Sequence, residues 1–303
     1  MSGGGGLINV GDLGKAAEAL INRVSDAVGG VARPWQIERV AKAEAKAEII
    51  QAQSKVAVSD IEQRAIHRMV REEGRKQENI EAITMKSLEY LSQEAQPEKI
   101  EEDWLTHFFE RSRAYSDADT RTIWAKILAG EANSPKSFSR RTIDILASMD
   151  TDDAQMFTAL CSCVWNRSND PILIIPGLDP SDLMIAGVNF SQLAHMESAG
   201  LISLETLGGY SRQGLGPVVV LTYFNQATFL KFPAPPEGRA QSVDNRLSLG
   251  RALLTRAGVQ LCKVCEPQKN EAYHAQVLKA WEGQGLQFVS GQEYVEMLVQ
   301  KST

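Results

Sequence analysis

The chain is poor in cysteine: it has four in 303 residues, set as two close pairs, Cys161/Cys163 and Cys262/Cys265. That is too sparse for a secreted disulfide scaffold, so a reducing compartment and a cytoplasmic location are expected. Positive charge is not in excess either. With Lys and Arg at 32 against Asp and Glu at 38, the net charge is −6. Such a field repels nucleic acid unless a basic face is segregated from the acidic ones. The opening residues, MSGGGGLINVGDLG, lack a basic stretch followed by an apolar one, so no secretory leader is expected. No apolar run approaches the roughly 18–20 residues that span a bilayer. The longest candidates, such as VVVL at 218–221, are the size of a strand.

The residue patterns that chemistry requires are missing too. His67, His107, His195 and His274 are scattered, with no H-E-x-x-H and no G-x-S-x-G elbow. The glycine clusters at 3–6, 29–30 and 207–216 match neither a phosphate-binding loop nor a dinucleotide fingerprint. Acidic groups such as Glu101/Glu102/Asp103 and Asp152/Asp153 fall at helix starts, where they complement the helix dipole. Four thiolates would suffice for a tetrahedral zinc site, and C-x-x-C at Cys262/Cys265 has acceptable spacing. Cys161-Ser-Cys163, however, is tight and sits inside an apolar helical pattern, so the cysteines are expected as small buried hydrophobes. A thioredoxin-like role needs the pair after a strand, and Cys262 follows a helical pattern. No catalysis, cofactor or metal is expected.

What is present is an ordinary globular composition, 43% apolar and 23% charged, in a chain long enough for about two domains. After the glycine lead, Leu13, Leu20, Val24 and Val28 recur at helical spacing up to Gly29-Gly30. They form a candidate face for assembly or for a membrane surface; the polar side lacks the basic bias of lipid-binding helices, so a membrane is disfavoured. From Pro34, WQIERVAKAEAKAEIIQAQ is rich in strong helix formers. Ser59 with Glu62 then makes a capping box before a second long helix. Acids and bases interleave nearly one for one between Gln36 and Glu81, which suits a solvated helical hairpin or a short coiled coil.

The middle segment alternates apolar turns with caps at Ser116/Asp119 and at Asp150/Asp153, which predicts four short helices. Trp104, Leu105, Phe108 and Phe109 form one apolar stripe, and Ile123, Trp124, Ile127 and Leu128 another; both are expected in a core. Strands are expected only from about Asn169. There, the helix-like NFSQLAHMESAGLI, a glycine-rich hairpin and a closing helix in SLGRALLTRAGVQLCKV suggest a winged helix-turn-helix. The proline-rich 233–245 joins wing to closing helix, and a helix with Tyr273, Val277, Leu278 and Trp281 and a strand-helix tail from Gln287 follow. The expected divisions are a lead and amphipathic helix at 1–33, a helical hairpin at 34–95, a helical domain at 96–168 and a winged-helix-like α+β domain at 169–303. The fold class expected is mainly α with a smaller α+β part.

A winged helix raises the question of DNA. Between Arg167 and Arg212 there is no lysine or arginine, and phosphate neutralisation by these residues dominates duplex affinity. Nucleic acid is therefore disfavoured as a partner and protein contacts are favoured. The best candidate contact residues for a partner or for nucleic acid are Lys136, Arg140, Arg141 and Arg212. A second basic run, Arg64, Arg68, Arg71, Arg75 and Lys76, is interrupted by Glu62, Glu72, Glu73 and Glu78, as on a solvated helix.

Three stretches, RAIHRMVREEGRKQENIEAIT, DDAQMFTALCSCVW and IWAKILAGEANSPKSFSRRTIDILASMD, resemble a bacterial (proteobacterial) family catalogued as a domain of unknown function. So do ARPWQIERVAKAEAKAE, NFSQLAHMESAGLI, GGYSRQGL and LLTRAG. IWAKILAG followed by RTIDILASMDTDDAQMF is also similar, more distantly, to the abortive-infection alpha group, which implies a role in phage defence. Together these point to a non-enzymatic protein that works through protein contacts and self-assembly. A winged-helix DNA regulator and a membrane-acting effector are the alternatives.

Overall fold

The computed structural model describes residues 14–29, 60–233 and 245–300 and divides the chain into two compact units, Met1–Ala147 and Ser148–Thr303. The glycine lead, Leu13, the helix expected from Pro34, the Ser59 cap and nearly all of the 233–245 loop lie outside the described residues. The division falls ahead of the expected 168/169 boundary.

In the first unit, α1 (Lys15–Val28) buries Ala17, Leu20, Ile21 and Val24 and ends at Gly29 in the left-handed conformation, φ 81°. α2 (Asp60–Ser87) runs 28 residues but buries only its second half, at Asn79, Ile80, Ile83, Thr84 and Ser87. α3 (Glu102–Ser112), α4 (Ala118–Asn133) and α5 (Arg140–Ser148) follow, and with α6 below they are the four expected short helices. α1 packs on α3 and the turn Pro97–Lys99, and the Arg23 guanidinium donates to the Ile100 carbonyl at 2.8 Å. Both expected aromatic stripes are in the core. Trp104 stacks on Phe108, Phe108 meets Trp124 edge-on, and Trp104 Nε1 donates to the Phe138 carbonyl at 2.7 Å. Only Ile123 of the second stripe is half-buried.

One cap shifts for a physical reason. The Ser116 hydroxyl is engaged by buried Asn79, whose amide also donates to the Arg113 carbonyl at 2.7 Å. Asp117 therefore caps α4, accepting from the Thr120 amide at 2.8 Å.

The second unit contains α6 (Thr151–Cys161), β1 (Val164–Arg167), β2 (Asp170–Leu173), α7 (Pro180–Ala186), α8 (Phe190–Ser198), β3 (Ile202–Leu204), β4 (Tyr210–Leu215), β5 (Val218–Tyr223) and β6 (Gln226–Lys231). It continues through β7 (Asn245–Gly250), β8 (Ala252–Leu254), α9 (Arg256–Cys262), α10 (Glu271–Gly283), β9 (Gln287–Val289) and α11 (Gly291–Gln300). α6 carries the expected capping box at Asp150/Asp153. An antiparallel sheet has the order β2-β1-β5-β6-β9, and two further antiparallel pairs are β3-β8 and β4-β7.

Three expectations are corrected here. Strands begin at Val164, because Ser168 and Asn169 adopt positive φ and turn β1 back on β2. β4 and β5 do not form a hairpin with each other: β4 pairs with β7, and β5 with β1 and β6. The segment expected as one closing helix is strand as far as Leu254. Leu247 and Leu249 turn inward with a period of two, and Gly250, at φ 88°, leaves the Ile175 carbonyl in the space a β-carbon would need. Only α9 is helical there.

An aromatic cluster fills the core of this unit. Trp165 lies 4.9 Å from Tyr223 and 4.8 Å from Trp281 between ring centres, while His274 stacks on Tyr223 at 5.0 Å. The Tyr273 hydroxyl accepts from Trp165 Nε1 at 3.2 Å and sits 2.9 and 2.7 Å from the carbonyls of Cys163 and Ile174. Every one of these groups is buried, so losing the hydroxyl strips the Trp165 indole of its partner and the Ile174 carbonyl of its donor, while the Cys163 carbonyl keeps the Ile174 amide. Tyr273→Phe removes the hydroxyl and nothing else. The expected outcome is a loss of about 3 kcal/mol in urea denaturation, and a change below about 0.5 kcal/mol would show that the hydroxyl is not the link it is described as.

Candidate functional site

Of the candidate contact residues, Lys136, Arg140 and Arg141 lie in the first unit and Arg212 in the second. Lys136 Nζ is 3.6 Å from Glu101, Arg140 3.3 Å from Asp103, and Arg212 2.8 Å from Asp170. Their charge is thus locally offset by carboxylates, while Arg141 is exposed. Lys136 is presented by a turn built on a buried acid: Glu131 accepts from the amides of Lys136 and Phe138 at 2.5 and 2.9 Å. Desolvation raises the Glu131 carboxyl above its ordinary value against the pull of those amides.

The face formed by Leu20, Val24 and Val28 is not a free surface. Leu20 and Val24 are fully buried within the first unit and Val28 is half-buried. The apolar periodicity marks a buried face, packed on α3 and the turn before it.

A different apolar strip is exposed. On the amino-terminal half of α2, Ile61 is 71% exposed, Met69 58%, Val70 39% and Ile66 37%. At 3.6 residues per turn, Ile61, Ala65 and Met69 form one line, with Ile66 and Val70 beside it. Arg64, Arg68, Arg71 and Arg75 fall along one flank of this line; on its other side Glu62 and Glu73 lie between it and Ile66 and Val70, and Glu72 and Lys76 continue the line toward the carboxyl end. Arg68 reaches Glu72 at 3.7 Å, and Lys76 reaches Glu73 at 2.6 Å. The apolar residues that break the charge pattern were the available sequence signal.

In the second unit α7 and α8 are joined through Gly187, at φ 77°, and a capping box at Asn189/Gln192. Met184 is 76% exposed and Phe190 50% exposed, and Ile185 is also exposed. His195 Nε2 contacts Asp153 Oδ1 at 2.5 Å, and this bond is the main cause holding the Asp153 carboxyl below its usual range.

One cysteine of each pair lines a common cavity. Cys161 is the last residue of α6 and Cys262 the last of α9. Cys161 and Cys262 line a cavity of about 260 Å³ with Asn166, Asn169, Phe224 and Lys263. Two of its lining residues, Asn169 and Phe224, hold positive φ, the latter at 39° in the β5–β6 turn. Cys163 faces elsewhere, toward the Ala186 carbonyl at 3.5 Å, and burial pushes its thiol up to about 12. Among the described residues no group of three or more His, Cys, Asp or Glu is arranged to hold a metal ion, and no helix is long and apolar enough to cross a membrane.

Residues 63–278 match the model of a family described as Protein of unknown function (DUF2806). No curated protein and no solved structure matches the chain.

The position of Cys163 sets a pH dependence. Its folded-state value is raised, so its contribution is complete below the ordinary thiol value and is lost as pH climbs through about 12. Urea midpoints at about pH 8 and about pH 10.5 should therefore diverge more for the native chain than for Cys163→Ala. Equal divergence in the two proteins would count against this.

Proposed function

Because that match covers most of its length, the chain belongs to the DUF2806 family, and for this member we propose a non-enzymatic role exercised through self-assembly and protein contacts. The observation that carries it is the exposed strip on α2. An apolar line with Ile61 and Met69 standing in solvent costs solubility unless something covers it. Its flanks say what does. When two copies of the helix lie side by side in parallel, the Glu62/Glu73 flank of one meets the arginine flank of the other. An antiparallel pair instead sets arginine against arginine. The partner favoured is a second copy of this chain, its α2 parallel to the first.

Two features support a protein-binding role for the second unit. Helices α7 and α8, the tight turn between them and the β3-β8 and β4-β7 pairs that follow support a winged-helix reading. On this reading the face offered by α7 and α8 presents Met184, Ile185 and Phe190 with no lysine or arginine, which favours an apolar protein surface over a duplex. The resemblance to the abortive-infection alpha group supports placing that role in phage defence. The burial of Leu20 and Val24 favours this reading over the membrane-acting alternative.

Sedimentation equilibrium of the full chain is expected to show a dimer or larger species, and Ile61→Asp with Met69→Asp to shift it to monomer. Circular dichroism of the variant should be unchanged, since both side chains are exposed. A native chain that stays monomeric at every concentration overturns the proposal, as does a variant of unchanged mass. In parallel, a gel shift with duplex DNA at low salt is expected to show no binding, whereas retardation relieved by salt would favour the regulator reading.

A further inference from the structure

The cavity in the second unit has no part in the role proposed above. It holds about 260 Å³, is half open to solvent, and takes its walls from parts of the chain far apart in sequence. Val164 and Asn166, two apart on β1, both line it, on the face of the strand opposite to buried Trp165. The β1–β2 turn adds Asn169, the β5–β6 turn adds Phe224, and the ends of α6 and α9 add Cys161 and Cys262, with Lys263 next in the chain.

The lining is sorted by depth. Cys161 is buried and Val164, Phe224 and Cys262 are half-buried, whereas Asn166, Asn169 and Lys263 are exposed at the mouth. Apolar walls with a few polar groups are the ordinary chemistry of a small-molecule site. Among the described residues the side chains of Asn166, Asn169 and Lys263 form no hydrogen bond or ion pair, so their N–H groups face whatever enters. No carboxylate is among the described residues lining the cavity, and the neighbouring Asp170 is held by Arg212 at 2.8 Å. Phe224 at φ 39° and Asn169 at φ 69° keep a left-handed backbone that is unfavourable, for a phenylalanine above all, and such backbone gathers where side chains are placed for a ligand.

We propose that this cavity binds a small monocarboxylate with a flat apolar body. The body lies against Phe224, Val164 and the two thiols, and the carboxylate accepts from the Asn166 and Asn169 amides and from the Lys263 ammonium. The carboxyl ends of α6 and α9 carry partial negative charge, which keeps the anion at the mouth beside Lys263. The full charge of Lys263 outweighs the dipole of α9, a helix of seven residues. A cationic ligand meets that same lysine and finds no carboxylate to pair with. The thiols add polarizable contact without charge, since burial pushes Cys262 up to about 12.

The full chain is titrated by isothermal calorimetry with benzoate, benzamide and benzylamine, through the millimolar range that suits ligands of this size. Benzoate is expected to bind saturably, one molecule per chain, benzamide about threefold or more weaker, and benzylamine without saturation. Lys263→Ala should weaken benzoate about tenfold and Asn166→Ala about threefold, while Lys263→Arg keeps the charge and stays within about threefold of the native chain. All three substitutions are at exposed side chains, and circular dichroism should be unchanged. The proposal is overturned by an absence of saturable heat with benzoate, by benzamide or benzylamine binding as tightly as benzoate, or by a Lys263→Ala chain that is folded and binds benzoate with native affinity.

Discussion

The second unit depends on one buried hydroxyl. Tyr273 reaches from α10 to the indole of Trp165 on β1 and to the carbonyls of Cys163 and Ile174. The two carbonyls lie just before β1 and just past the end of β2; that of Cys163 also accepts from the Ile174 amide at 3.1 Å, so the hydroxyl adds to the closure of this hairpin end. A helix that arrives late in the chain thus completes the hydrogen bonding of a hairpin made much earlier. Tyr223 does the same for the helix ends around it, since its hydroxyl takes the Asn270 amide proton and donates toward the Ser162 carbonyl. Between them these two tyrosines fix where α6 ends and α10 begins, and therefore where Cys161 is placed.

Local patterns were legible and long-range pairing was not. The cap at Asp150, the stripe of Trp104 and Phe108 and the helix around Tyr273 all follow from residues three or four apart, and each formed. The β4 pairing failed because its partner is set by register with β7, beyond the inserted β5–β6 hairpin, and nothing in a hairpin-like glycine run announces that. Gly250 could be read as a turn signal or as a tolerated helix residue. The backbone of Ile175 decides between them, and that contact is tertiary.

The candidate sites divide along the same line. The strip on α2 was present in the sequence as Ile61, Met69 and Val70 among charges, yet periodicity alone cannot tell a face that a neighbour covers from one left in solvent. α1 shows the opposite outcome from an equally good pattern, with Leu20 and Val24 enclosed. The meeting of Cys161 with Cys262 at one cavity had no local signal, because it follows from where two helices end.

The strand order has a further consequence. In the sheet β2-β1-β5-β6-β9, β1 must wait for β5, and β6 for β9, while β4 and β8 close on partners separated from them by the β5–β6 excursion. Contacts so far apart in the chain carry a large loop-closure cost that is met before any of them stabilises the fold. A nascent molecule would therefore spend time with the edges of β1 and β6 unpaired, which exposes this unit to mispairing while it folds.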